Sequence, residues 1–209
     1  MSVITIKATT LNKSTFEIPK GTTITVDGKM YEDEWKVALT QDLKGGGIIK
    51  FKHDGEYLQI GLKGDKAGLS HVYLTDGKDI FVLHSSASLG MAIYQKEGEV
   101  WQPIQKFEWE LLGQSANSEA SLNYLKTNSW LANVASTPTL EREYKIGMKF
   151  KDGDTFRLAA VYVSNPMSPQ VFPNTLTDNT TKFELLFGSE PRNLNFKKEQ
   201  WALLKLIEK

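Results

Sequence analysis

Cysteine is absent from the 209 residues of this chain. Its absence excludes disulfide bonds, thiolate metal sites and cysteine nucleophiles, although it does not decide the cellular compartment. The sequence also lacks any apolar run that approaches the roughly 18 residues of a membrane-spanning helix. We therefore expect no membrane span.

The chain also has no excess of positive or negative charge. The 25 acidic residues balance the 25 basic ones, so the formal net charge is zero. No basic tract rises above this balance, and the electrostatic signature of a nucleic-acid-binding protein is therefore missing. The N-terminal sequence MSVITIKATT has neither the charged region nor the apolar region of a signal peptide. The sequence as it stands therefore leaves two expectations open: the protein is cytoplasmic, or a leader has been removed and replaced by Met1.

The composition predicts a packed, β-rich fold. Hydrophobic residues make up 40% of the sequence and aromatic residues 11%, which is enough for a hydrophobic core. Segments of about five to nine residues alternate with turn signals, a pattern typical of an all-β sandwich or barrel. Because all-β folds of this size commonly remain undivided, we expect one domain over residues 1–209.

The predicted strands follow this alternation along the chain, with Asp-Gly turns at Asp54-Gly55, Asp76-Gly77 and Asp152-Gly153. One or two short helices are expected, from the candidate segments Tyr31–Leu39, with Trp35 as a core anchor, and Ser115–Thr127. The segment Asn165–Asn179 carries three prolines and predicts a long surface loop. The strands are predicted at Val3–Lys7, Thr22–Val26, Ile48–His53, Glu56–Leu62, Leu69–Thr75, Ile80–His84, Leu89–Lys96, Val100–Leu112, Glu143–Phe150, Thr155–Ser164, Lys182–Phe187 and Trp201–Ile207.

Two motifs near the N-terminus carry a family resemblance. VDGKMYEDEW at residues 26–35, followed by KFKHDGEYLQIGLKG at 50–64, resembles the opening of family 9 carbohydrate-binding modules and their bacterial relatives. Later pieces are similar to a subgroup of these relatives, namely DIFVLHSSASLGMAIYQK at 79–96, FEWEL at 107–111 and WLAN at 130–133. Further similar pieces are EREYKI at 141–146, FRLAAVYV at 156–163 and PRNLNFKKEQW at 191–201, so the resemblance extends over nearly the whole chain.

The resemblance implies a non-catalytic, jelly-roll-like β-sandwich that holds a sugar between aromatic rings. It also implies a secreted or periplasmic location and, in many members, bound structural calcium. Oxygen ligands for calcium are offered by Asp152, Asp154, Asp178 and Asn179. These residues do not complete a calcium site, and they are also typical turn residues. The sequence departs from the pattern in two places. GDKAGLSHVYLTD at 64–76 lacks the tryptophan that sugar-binding members carry there, and their second sugar-facing tryptophan has no clear counterpart, although Phe172 lies in a similarly placed late loop.

Five residues are the candidates for ligand contact: Trp130, Phe172, His84, Trp109 and Asn133. Trp130 begins an irregular segment, where it suits either a loop anchor or a stacking platform. Phe172 suits either an exposed ligand contact or an apolar plug that holds its loop. The alternation in FEWEL favours core packing for Trp109, and His84 suits a structural hydrogen bond or a ligand donor at a strand end.

Catalysis is the weakest hypothesis. His84 precedes Ser85-Ser86, but neither a G-x-S-x-G motif nor an orienting carboxylate accompanies it. The pairs Glu108/Glu110 and Glu141/Glu143 could each share a strand face, which would place two carboxylates together as in a glycosidase. Any two glutamates spaced in this way on a solvated strand share a face as well. The leading prediction is a carbohydrate-binding module, and the alternative is a structural or protein-interaction domain that has lost the sugar site.

Overall fold

A computed structural model of the chain describes residues 15–75, 77–115, 118–135, 137, 139–147, 153–181 and 190–208. The predicted strands Val3–Lys7 and Lys182–Phe187 lie outside the described residues, as do the turn residues Asp76 and Asp152.

The described residues form twelve strands, one α-helix and a short 3-10 helix at Lys198–Gln200. The elements are β1 (Thr15–Pro19), β2 (Leu39–Asp42), β3 (Ile48–His53), β4 (Tyr57–Thr75), β5 (Asp79–Ser85), β6 (Leu89–Glu97), β7 (Val100–Gln105), α1 (Glu119–Asn128), β8 (Trp130–Ala132), β9 (Thr139–Gly147), β10 (Thr155–Val163), β11 (Gln170–Phe172) and β12 (Ala202–Ile207).

The strands pack as two layers that share one strand. Sheet A has the order β1-β12-β10-β4-β5-β6-β7, with β11 paired to β10, and sheet B has the order β2-β3-β4-β9-β8. Strand β1 runs parallel to β12, and the other pairs are antiparallel. The predicted all-β sandwich is confirmed.

Strand β4 joins the two layers because it bends between them. The sequence predicts two strands here, but the structure has one strand of 19 residues with a register shift between Lys63 and Gly68. The bend needs small residues at its inner side. A Cβ on Gly64 would collide with the ring of Tyr162, and one on Gly68 would collide with the carbonyl oxygen of Val163.

The hairpin between β3 and β4 is confirmed, although its turn differs from the type I′ turn that Asp-Gly suggests. The connection has three residues, 54–56, and only Gly55 has a positive φ, of 96°. A three-residue hairpin needs one glycine in the left-handed region. The Asp54 carboxylate closes the turn by accepting hydrogen bonds from the backbone N–H groups of Glu56 (3.0 Å) and Tyr57 (2.7 Å).

One of the two predicted helices forms. Ser118 caps α1 by accepting a hydrogen bond from the backbone N–H of Ser121 at 3.1 Å, which satisfies a free donor of the first turn. The predicted helix at Tyr31–Leu39 is wrong, because residues 32–37 form consecutive turns. Trp35 is nevertheless the buried anchor that the sequence predicts.

Hydrophobic residues are buried on both faces of sheet A. Its inner face packs against sheet B, and its outer face carries a second cluster that includes Tyr73, Val82 and Tyr94. Leu176, Leu194, Phe196 and Trp201 from the C-terminal part of the chain belong to that second cluster and cover the outer face. The outer face of sheet B is covered by residues 21–38, since Trp35 packs over Gly61 there.

Candidate functional site

One end of the outer face of sheet A carries an exposed aromatic surface. All five tryptophans lie in the described ranges, and four are buried, whereas Trp109 is 49% exposed. The Trp109 ring stacks on Phe107 with centroids 5.2 Å apart, and the His84 ring meets it edge-on at 5.0 Å. We call Phe107, Trp109 and His84 the Trp109 platform. Because two of the three rings are fixed inside the fold, Trp109 has a rigid support.

Gly90 makes the platform possible. It lies on β6 beneath both rings, and a Cβ at this position would lie 2.9 Å from Cδ1 of Phe107 and 3.0 Å from Cζ3 of Trp109. Those distances are shorter than carbon atoms tolerate in van der Waals contact. Any larger residue would therefore lift the rings away from the sheet.

A chain of polar groups adjoins the platform. Nδ1 of His84 lies 3.3 Å from Nε2 of His71, and Nε2 of His84 lies 2.8 Å from Oγ of Ser86. Burial lowers the pKa of His84 to about 4, and the nearby charge of Arg142 acts in the same direction. His84 is therefore neutral at physiological pH, and the half-buried Ser86 hydroxyl presents a polar, uncharged group beside the aromatic rings.

Asn133 supports the end of the sheet from within. Its carbonyl oxygen accepts a hydrogen bond from Oγ of Ser85 at 2.6 Å, and its side-chain Oδ1 accepts one from the backbone N–H of Glu143 at 2.7 Å. The buried Arg142 donates from Nη1 to the carbonyl oxygens of Ser86 (3.2 Å) and Asn133 (3.4 Å). Asn133 thus lies behind the platform, and its side chain is engaged by β9.

Trp130 and Phe172 lie away from the platform. Trp130 is 2% exposed and meets Tyr124 of α1 edge-on at 5.6 Å. Phe172 is also 2% exposed, which agrees with the apolar plug and not with the exposed ligand contact. The reason is β11, which pairs with β10 inside the segment predicted as a surface loop and draws Phe172 into the core. The structure therefore brings His84 and Trp109 into contact, with Asn133 behind them.

The expected core packing of Trp109 is wrong for a related reason. Strand β7 ends at Gln105, so the alternation that the sequence suggests does not continue through FEWEL. His71, Gly90 and Ser86 were not singled out as ligand contacts. The sequence does indicate that His71 lies beside His84. Strands β4 and β5 pair about the predicted turn at 76–77, and their register places His71 opposite His84.

The Glu141/Glu143 pair holds the N-terminal motif in place. Oε2 of Glu143 accepts hydrogen bonds from the backbone N–H groups of Asp27 (3.1 Å) and Gly28 (2.9 Å), and Oε1 accepts one from Nε1 of Trp35 (3.1 Å). Oε2 of Glu141 accepts one from the backbone N–H of Met30 at 2.7 Å. VDGKMYEDEW is therefore the segment that closes the outer face of sheet B, and both carboxylates have a structural role in that closure.

The Glu143 carboxyl is expected to make stability depend on pH. Burial raises its pKa from the ordinary 4.5 to about 7, and the N–H donors of Gly28, Trp35 and Asp27 oppose this increase. Between these pH values the folded protein holds a proton that the unfolded chain has lost. The free energy of unfolding should therefore fall as the pH rises from 4.5 to 7, by on the order of 3 kcal/mol.

Urea denaturation at a series of pH values measures this change. The control is Glu143→Gln, whose amide does not titrate. The stability of the wild type relative to this variant should fall across the window, whereas parallel profiles for the two proteins would contradict the raised pKa.

Within the described ranges, no group of three or more His, Asp or Glu side chains is arranged to hold a metal ion. Oδ1 of Asp178 accepts a hydrogen bond from the backbone N–H of Thr180, and Oδ2 accepts one from that of Lys197. Asp178 thus organises its own loop. Among the described residues, no helix has both the length and the apolar character needed to cross a membrane.

The fold and this surface define a β-sandwich whose outer face ends in an exposed tryptophan platform. Two solved structures share the fold. A family 9 carbohydrate-binding module from Caldicellulosiruptor kristjanssonii, in complex with cellotriose, matches with a TM-score of 0.51 and 10% identity over 94% of this chain and 95% of that one. A candidate carbohydrate-binding protein from Bacteroides uniformis matches with a TM-score of 0.51 and 8% identity over 93% and 100%.

Sequence comparison adds nothing to this result, because no family model and no curated protein matches the chain. The fold predicted from the resemblance to family 9 carbohydrate-binding modules is confirmed. At identities of this order the structural match concerns the fold, and function has to be argued from the site.

Proposed function

We propose that residues 1–209 form one non-catalytic carbohydrate-binding module that holds a sugar ring against Trp109. The observation that carries this proposal is the exposed and rigidly supported Trp109 ring. The C–H groups of a pyranose ring can stack on an indole face, and its hydroxyls need neutral donors and acceptors nearby. The Ser86 hydroxyl, which is half-buried and hydrogen-bonded to the uncharged His84, supplies such a group.

The fold neighbours support this proposal. One of them carries cellotriose, so short β-linked glucose oligosaccharides are the first ligands to test. The proposed platform also accounts for the tryptophan missing from residues 64–76. Residues 64–75 lie inside the continuous strand β4, whereas the exposed ring comes from the segment after β7.

Replacing Trp109 tests the proposal. We expect the wild type to bind at least one oligosaccharide on a glycan array, and Trp109→Ala to weaken that binding about tenfold or more in calorimetry. A tenfold loss corresponds to about 1.4 kcal/mol, which is within reach of one stacked ring. The matched control is Tyr31→Ala, because Tyr31 is 46% exposed but lies in the segment over sheet B.

Two outcomes would contradict the proposal. If the wild type binds no glycan, the proposed function fails. If Trp109→Ala binds as tightly as the wild type, the function stands and the proposed site fails.

A second candidate is a protein-interaction domain that has lost the sugar site. It is favoured by one observation: among the described residues, the only other aromatic exposed to a similar extent is Tyr31, on the opposite side of the sandwich. No second ring in the described ranges therefore faces Trp109 to enclose a sugar. A negative glycan array would favour this candidate.

A further inference from the structure

The bend in β4 gives the sandwich an open end. Tyr57 and Thr75 are the two end residues of β4, one in sheet B and one in sheet A, and both line one groove. The bend at Gly64–Gly68 closes the opposite end. We call this space between the sheets the inter-sheet groove; its volume is about 850 Å³, within the range of small-molecule pockets.

The depth of the groove is apolar. Its walls are the side chains that project from the inner faces of the two sheets. The cross-strand pairs Leu74–Phe81 and Leu83–Met91 form one wall, on sheet A. The other residues at this depth are Phe156 of sheet A and Trp130 and Ile146 of sheet B.

The groove exists because the two sheets differ in width. Sheet B ends at β8, whereas sheet A continues from β4 through β5, β6 and β7. The inner faces of β5 and β6 therefore extend beyond the edge of sheet B, which leaves Phe81 and Met91 half-buried. When an apolar group covers such side chains, it removes apolar surface from water, and the free energy falls.

The exposed polar residues of the groove lie at its rim, namely Ser129 and the acidic residues Glu56 and Asp154. Asn128 is half-buried and Thr75 is buried. The described charged residues that line the groove are therefore both acidic. The ammonium of Lys145 lies 5.5 Å from the centroid of the Tyr57 ring, on the outer face of sheet B. A positively charged group at the rim would meet two carboxylates and several hydrogen-bonding groups.

We propose that the inter-sheet groove binds a single-chain amphiphile, with the alkyl chain between the sheets and a cationic head group at the rim. The apolar depth fits the chain, and the acidic rim fits the head group. Each methylene group that enters the groove should raise the affinity about fourfold, from the transfer free energy of a buried methylene. This proposal is independent of sugar binding, because the Trp109 platform lies on the other face of sheet A.

Calorimetry with alkyltrimethylammonium ions, below their micelle concentrations, tests the proposal. We expect one ion to bind per chain, and decyltrimethylammonium to bind more tightly than octyltrimethylammonium. Met91→Trp fills the groove and should weaken decyltrimethylammonium binding at least about tenfold. The matched control is Ile104→Trp, which adds the same side chain at an exposed position outside the groove and should leave the affinity unchanged.

Glu56→Gln provides a second test that does not depend on a change in the core, because Glu56 is exposed. It should weaken decyltrimethylammonium binding about twofold to fivefold, the size expected for one solvent-screened charge. The proposal is overturned if the cationic ions do not bind, if Met91→Trp binds them as tightly as the wild type, or if decyl sulfate binds as tightly as decyltrimethylammonium. Loss of sugar binding in Trp109→Ala would not alter any of these results.

Discussion

Phe172→Ala is expected to lower the free energy of unfolding by about 3–5 kcal/mol, the range for removing a buried aromatic ring. The ring lies between Phe16 and Phe51, with centroid distances of 5.6 and 5.1 Å. It is almost fully buried, so its removal leaves a cavity at the point where β11 meets the core. Urea denaturation measures the loss.

Sugar binding by this variant separates the two roles considered for Phe172. At a temperature where Phe172→Ala remains folded, its affinity for an oligosaccharide should equal that of the wild type within about twofold, because the ring does not adjoin the Trp109 platform. Tyr31→Ala is the control for stability, and as a surface substitution it should change the free energy of unfolding by about 0.5 kcal/mol or less. If the Phe172→Ala variant is folded but binds no sugar, Phe172 is a ligand contact after all.

The fold was predictable where local signals decide the structure. The hairpin at Asp54-Gly55 depends on one glycine with a positive φ and on the Asp54 carboxylate, which accepts a hydrogen bond from the backbone N–H of Glu56 two residues away. Helix α1 depends on its Ser118 cap. These interactions lie within a few residues of one another, so the sequence displays them directly.

The fold was not predictable where distant partners decide the structure. Gly64 and Gly68 look like a break between two strands, but their small size allows β4 to pass Tyr162 and Val163 without interruption. The three residues of β11 form a strand because β10 supplies a partner. Local sequence carries neither contact, since tertiary packing overrides propensity at both places.

The candidate site, like the fold, was predictable only in part. His84 and Trp109 were recognisable as polar and aromatic candidates, yet their contact depends on Gly90 and on the end of β7 at Gln105. The inter-sheet groove depends on the unequal widths of two sheets, which no motif encodes. Residue types could therefore be predicted from the sequence, whereas which of them share a surface required the fold.

The N-terminal motif leads to the other large effect. Glu143→Ala is expected to lower the free energy of unfolding by about 2–4 kcal/mol, because each buried donor left without a partner costs about 1–3 kcal/mol and water entry offsets part of the sum. The donors are the backbone N–H groups of Asp27 and Gly28 and Nε1 of Trp35. Urea denaturation at pH 6 measures the loss.

Glu108→Ala is the matched control, since Glu108 is an exposed glutamate outside the motif. Hydrogen exchange adds a local measurement. In Glu143→Ala the amides of Asp27 and Gly28 should lose their protection, whereas the protection of the β10 amides should fall only as far as the global stability falls. If both variants unfold at the same urea concentration, the motif does not depend on Glu143. If the expected loss occurs, the pattern VDG…EW is explained by one buried carboxylate 108 positions away from its tryptophan.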